Sequence, residues 1–164
     1  MRDLVAGILA LLLLVVAASL ATTLQYYRRR RRRAHDSERA MGRTIIAELP
    51  TADELVLFSE DAKRFYYGER SIDKDLIAAV RVLINGTPIA AMLSTHHVRE
   101  AARQPTHFDD RPEGIARDRW DVAIETITAT VLVECGAIRE RVSQELARSV
   151  FDAVKRDVEQ RNAT

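Results

Sequence analysis

His96, His97, His107, Asp109 and Asp110 crowd into one stretch of the chain, and imidazole and carboxylate are groups that bind transition metals. A metal centre also needs three or four ligands converging from a supporting scaffold, with partners behind them that fix their orientation. This stretch shows neither repeated nor helical ligand spacing, so it reads as a solvated polar loop, with His96, His97, His107 and Asp109 as weak metal candidates. Cys135 precedes Gly136 where a strand meets the last helix, and thiols near helix N-termini can have lowered pKa values. A nucleophile needs a base within reach, however, and no histidine lies near Cys135 in sequence. A buried, inert thiol is expected. Glu125 and Glu134 fall on neighbouring candidate strands and are the residue types of an acid/base pair. Nothing marks a pocket between them, and solvent-facing positions account for both. No Gly-x-x-x-x-Gly-Lys or dinucleotide fingerprint occurs. No catalytic residue and no cofactor is expected, and the chain does not read as an enzyme; a metal-binding or enzymatic site on the His/Asp loop is an alternative.

The elements that would position these groups begin with an apolar run from Leu4 to Leu24, 21 residues broken only by small or hydroxyl side chains. About 20 apolar residues span a bilayer core of roughly 30 Å. Tyr26 and Tyr27 follow, then Arg28, Arg29, Arg30, Arg31, Arg32 and Arg33. These eight residues are the expected membrane-surface set, the tyrosines as interface anchors and the arginines against lipid headgroups. Positive residues stay on the cytoplasmic side, so the expectation is a single-pass protein of the cell inner membrane, N-terminus outside and the rest cytoplasmic. A secretory signal cleaved after Ala21, releasing a periplasmic or secreted domain, is the alternative. Against it, signal h-regions run to about 7–15 residues and follow their positive charge, whereas this run is longer and precedes it.

Charge divides along the chain. Residues 1–43 hold nine arginines and three acids, while residues 44–164 hold 16 basic and 21 acidic side chains, a net of −5 on the domain. The arginine block could serve as an arm on nucleic acid, but its place beside the apolar run makes it a topology signal, and no nucleic-acid partner is expected. The 22 arginines against three lysines resemble the usage of GC-rich bacterial genomes. One cysteine cannot form an internal disulfide, in agreement with a reducing compartment.

The expected organisation is an anchor over 1–27, a polybasic juxtamembrane linker over 28–43 and a soluble domain over 44–164. Residues 34–43 read as a helical extension or short linker. Candidate strands cover 44–48, 54–59, 64–70, 77–84, 87–93, 119–127 and 130–135. Asn85-Gly86 is the strongest local signal, because both central positions of a type I′ hairpin turn require positive φ. Pro88 predicts that the strand over 87–93 lies at an edge or loses a hydrogen bond there. Residues 94–118 lose apolar density and read as a long loop with a short helix around 98–103. The chain closes with an amphipathic helix over 137–161, its stripe formed by Ile138, Val142, Leu146, Val150, Val154 and Val158, widened by Ala147 and Phe151.

Strands followed by one long helix, together with the segment from Tyr66 to Val80 (Tyr-Tyr-Gly-Glu-Arg-Ser-Ile-Asp-Lys-Asp-Leu-Ile-Ala-Ala-Val), resemble bacterial pleckstrin-homology-like domains, which often follow membrane helices. The resemblance covers residues 44–161. It implies an α+β fold: a mainly antiparallel barrel or sheet of about seven strands behind a transmembrane helix, capped by the C-terminal helix, with Tyr66, Tyr67 and Trp120 in its wall. Lys63 and Arg64 lie beside Glu60 and Asp61, so the basic cluster that holds inositol phosphates in eukaryotic relatives has no counterpart. The expected role is binding or scaffolding of an unidentified protein partner at the membrane, through the long loop and the sheet edge bearing Pro88.

Overall fold

A computed structural model describes residues 2–50, 55–97 and 118–163, with side chains from residue 11 onward. The chain forms two units, divided between Met41 and Gly42. The first is helix α1, Arg2–Ala40. Alanine, leucine and arginine are all strong helix formers, which carries the helix through the apolar run and the arginine block without a break. Within the apolar part, Thr22 Oγ1 and Thr23 Oγ1 donate back to the Ser19 carbonyl at 2.8 Å, so neither hydroxyl is left without an acceptor. Gly42, at φ +73°, ends the helix in the left-handed conformation that glycine adopts without strain. From Leu11 on, α1 exposes its apolar side chains, and by length and composition it can cross a membrane.

The second unit is α+β. Strands β1 (Thr44–Pro50), β2 (Leu55–Glu60), β3 (Arg64–Tyr67) and β4 (Arg70–Asp73) form one antiparallel sheet in sequence order. After a 3-10 turn at Lys74–Leu76, strands β5 (Ile77–Ile84), β6 (Thr87–Leu93), β7 (Arg119–Thr126) and β8 (Thr130–Ala137) form a second antiparallel sheet in the order β6-β5-β7-β8. Helix α2, Arg141–Asn162, follows. The described residues therefore form eight strands in two sheets and no closed barrel, where about seven strands and a barrel or sheet were expected. The additional strand arises at Gly68, whose φ of +58° turns the chain so that Arg70 pairs with Tyr67. Asn85 and Gly86 have φ +52° and +80°, the conformation their turn requires.

One core joins both sheets and α2. Phe58 and Phe65 stack with ring centroids 5.7 Å apart and cluster with Leu49, Ile72, Ile77, Val80, Val122, Ile124 and Val133. Ala147, Val150, Ala153, Val154 and Val158 of α2 complete it. The helix starts later than expected because Gly136 and Ala137 still pair with Trp120 and Arg119 as strand. Ile138 thus lies outside α2, and Val142 is 62% exposed. A ridge at every fourth residue drifts by about 40° per step around a helix of 3.6 residues per turn, so residues 142 and 158 cannot share one buried face.

Candidate functional site

Chemistry-bearing side chains of the domain are mostly committed to structure. His96 Nε2 lies 3.0 Å from the Arg161 carbonyl at the end of α2, and His97 Nε2 lies 3.0 Å from the Asp75 carbonyl. Beside them, Asn162 Oδ1 accepts from the Thr95 N–H and hydroxyl at 2.8 and 2.9 Å, while its Nδ2 donates to the Leu93 carbonyl at 3.1 Å. These bonds strap residues 93–96 to the C-terminal end of α2 and His97 to the 3-10 turn. His107, Asp109 and Asp110, like the predicted helix over 98–103, lie outside the described residues. Among the described residues no group of three metal-binding side chains converges.

Cys135 is fully buried on β8, and burial, reinforced by the nearby Asp121 carboxylate, pushes its thiol up to about 12. Glu134 is half exposed and lies 3.1 Å from the Arg119 guanidinium, whose Nε is 2.8 Å from the buried Asp121 carboxylate. Glu125 departs from the solvent-facing expectation. It is fully buried, with Oε1 2.8 Å from Arg81 Nε, and desolvation pushes its carboxyl up while the guanidinium pulls it down. Glu125 and Glu134 thus serve separate ion pairs.

A shallow groove of about 460 Å³ opens over the β2–β3 turn, lined by Gly42, Asp61, Lys63, Arg64, Tyr66 and Asp73. Asp61 organises it, accepting from the Lys63 and Arg64 N–H groups and the Tyr66 hydroxyl, each at 2.7 Å. The Arg43 guanidinium lies over the Tyr66 ring, 3.5 Å from its centroid. The Tyr66 bond first, then that from the Lys63 N–H, holds the Asp61 carboxyl at about 2. A carboxyl with a lowered folded-state pKa stabilises above its unfolded value, and that contribution fades as acid approaches the folded value. Asp61→Ala is expected to cost about 1–2 kcal/mol at neutral pH, the range of a lost turn or cap side chain. Urea unfolding of wild type and variant should converge as pH falls from about 5 towards 2; an unchanged gap there contradicts this role.

Among the described residues, two surfaces are exposed. On α1, Tyr26 and Tyr27 meet edge to face at 6.0 Å, and they and residues 28–33 are exposed. On the domain, β6 is the outer strand of its sheet, as Pro88 predicted, and exposes Ile89 and Leu93 by 55% and 47%. Its sequence, Thr-Pro-Ile-Ala-Ala-Met-Leu, makes it the only described strand without a charged residue. Edge strands usually carry charge, proline or a bulge to prevent pairing with another chain. Here Pro88 and an irregular register beside Leu83 protect the beginning of β6 only. Comparison with protein families, curated proteins and solved structures found no match in any of the three.

Proposed function

We propose that the protein is a single-pass component of a bacterial inner membrane, with its N-terminus outside and a cytoplasmic domain that docks a protein partner through the β6 edge. The supporting observation is the order of features on one unbroken helix: an exposed apolar stretch, a tyrosine pair, then six exposed arginines. Such a helix sits with its tyrosines at the interface and its guanidiniums on the cytoplasmic side, where anionic lipid contributes about 1 kcal/mol per basic side chain. Tethering concentrates the domain near other membrane proteins, so an edge-strand contact of modest area suffices. The domain has its own core and needs no metal or substrate for this role.

Protease added to intact spheroplasts should leave the domain uncut, with digestion only after lysis. Replacing residues 28–33 by glutamate should expose the domain to the protease in a substantial fraction of molecules. Digestion of the wild-type domain without lysis would overturn the orientation.

A further inference from the structure

We infer that Asn85, in the turn between β5 and β6, is a site of spontaneous covalent change: a clasp keeps it inert in the folded hairpin, and once the clasp opens it closes onto the Gly86 nitrogen. The site is independent of the docking role proposed above. The chain has two asparagines, Asn85 and Asn162, and Asn85 alone precedes a glycine. That pairing is the reactive one, because the amide carbon Cγ can meet the next backbone nitrogen and glycine brings no Cβ to crowd the approach. Gly86 N bonds to Cγ and gives up its proton, the Cγ–Nδ2 bond breaks, and Nδ2 leaves with that proton as ammonia. Water then opens the cyclic imide at either of its carbonyls, leaving aspartate or isoaspartate. Nothing is oxidised or reduced.

The folded hairpin opposes this chemistry in two ways. Asn85 Oδ1 accepts from the Asp118 and Arg119 N–H groups at 2.7 and 3.1 Å, and Nδ2 lies 3.4 Å from Asp118 Oδ1, so the amide is clasped to the start of β7. The backbone adds to this: with φ +52° at Asn85 and +80° at Gly86 the turn mirrors a type I turn, whose mirrored ψ at the first central position is about +30°. That angle carries the Gly86 nitrogen nearly opposite Cβ about the Cα–C bond, whereas ring closure needs the two eclipsed, with the reacting atoms about 3–3.5 Å apart. The reaction therefore waits for an opening. Asp118 favours one, because its φ of +72° is held at a cost in any residue but glycine, and release from the clasp relieves it. What closes afterwards is a different hairpin. Isoaspartate lengthens the backbone by one carbon inside a two-residue turn, and turn length fixes the register that pairs Ile84 with Thr87 and Val80 with Met92. Aspartate keeps the backbone but sets a carboxylate beside that of Asp118, where the amide now donates.

The test ages the full chain in lipid vesicles beside the same chain in urea. Hydroxylamine cuts the cyclic imide, and so the chain, between residues 85 and 86, and peptide mass spectrometry counts isoaspartate. The unfolded chain should react, and the folded chain at least about tenfold more slowly, because only its open fraction reacts. Returned to buffer, the isoaspartate-bearing chain should unfold at a lower temperature than the unaged wild type, and Asn85→Asp should show a smaller drop, the share of charge alone. Asn85→Ser aged in urea should give no cut and regain its starting Tm, which accounts for damage elsewhere. Wild type aged in mildly acidic urea, where the Gly86 nitrogen does not give up its proton, serves the same purpose if that variant fails to fold. Three results overturn the inference. Equal rates in the folded and unfolded chains would mean that the clasp holds nothing. An uncut unfolded chain would remove the site, and an isoaspartate-bearing chain with the wild-type Tm would remove its consequence.

Discussion

Glu125→Leu should remove a large share of the domain's stability, on the order of 3–5 kcal/mol, because it takes away the carboxylate 2.8 Å from the Arg81 guanidinium in a desolvated site. Total stabilities of single domains are about 5–15 kcal/mol, so the urea midpoint should fall by about a fifth at the least. The contrast with Arg81→Met/Glu125→Leu is the informative part. Replacing both partners removes the two desolvation costs together, and the double variant should unfold within about 1–2 kcal/mol of wild type, or above it. Arg81 and Glu125 extend from adjacent central strands, β5 and β7, where almost every residue is buried. A double variant as unstable as the single one would mean that the two side chains act through other contacts.

Gly136→Ala should cost about 2–4 kcal/mol, combining a strained backbone with overpacking. Gly136 sits at φ +112°, where residues with a Cβ are strained, and an added Cβ would lie 2.5 Å from Ser143 Oγ and 3.3 Å from Ser143 Cβ. Ser143 is buried in the first turn of α2, so the clash would push the helix off the end of β8. Ser143→Ala in the Gly136→Ala background should recover part of the loss, the hydroxyl's share, and leave the backbone share. Thermal unfolding of Gly136→Ala, Ser143→Ala and the double variant separates the two. Equal stabilities for Gly136→Ala with and without Ser143→Ala would show that backbone strain alone matters.

Local chemistry made much of this fold legible. Asn85-Gly86 announced its turn, alternation announced β7 and β8, and Pro88 announced an edge, because each depends on a few neighbouring residues. What escaped depends on distant ones. Gly68 turns the candidate strand over 64–70 back on itself through a single dihedral angle, so that Arg70 opens a new strand. Glu125 is polar by type but buried by the partner that Arg81 offers across a ladder. Val142 fits a four-residue spacing that a real helix rotates out of register. The carbonyls that His96 and His97 reach belong to residues 161 and 75, far away in sequence, so no local pattern announces these bonds. The uncharged character of β6 was present in the sequence throughout, but it acquires meaning only once that strand is known to end a sheet.

On the membrane placement proposed above, helix α1 continues past the bilayer surface. Its apolar run uses about 30 Å of its rise, and the residues from Gln25 to Ala40 add about 24 Å more at 1.5 Å each. Headgroups account for only about 5–8 Å on one side of the bilayer. The remainder is a stiff stalk, and its first glycine pivot comes only at position 42. On that placement residue 42, where the second unit begins, stands off from the lipid, and a partner would be selected by how far from the membrane it presents itself as well as by the strand it offers.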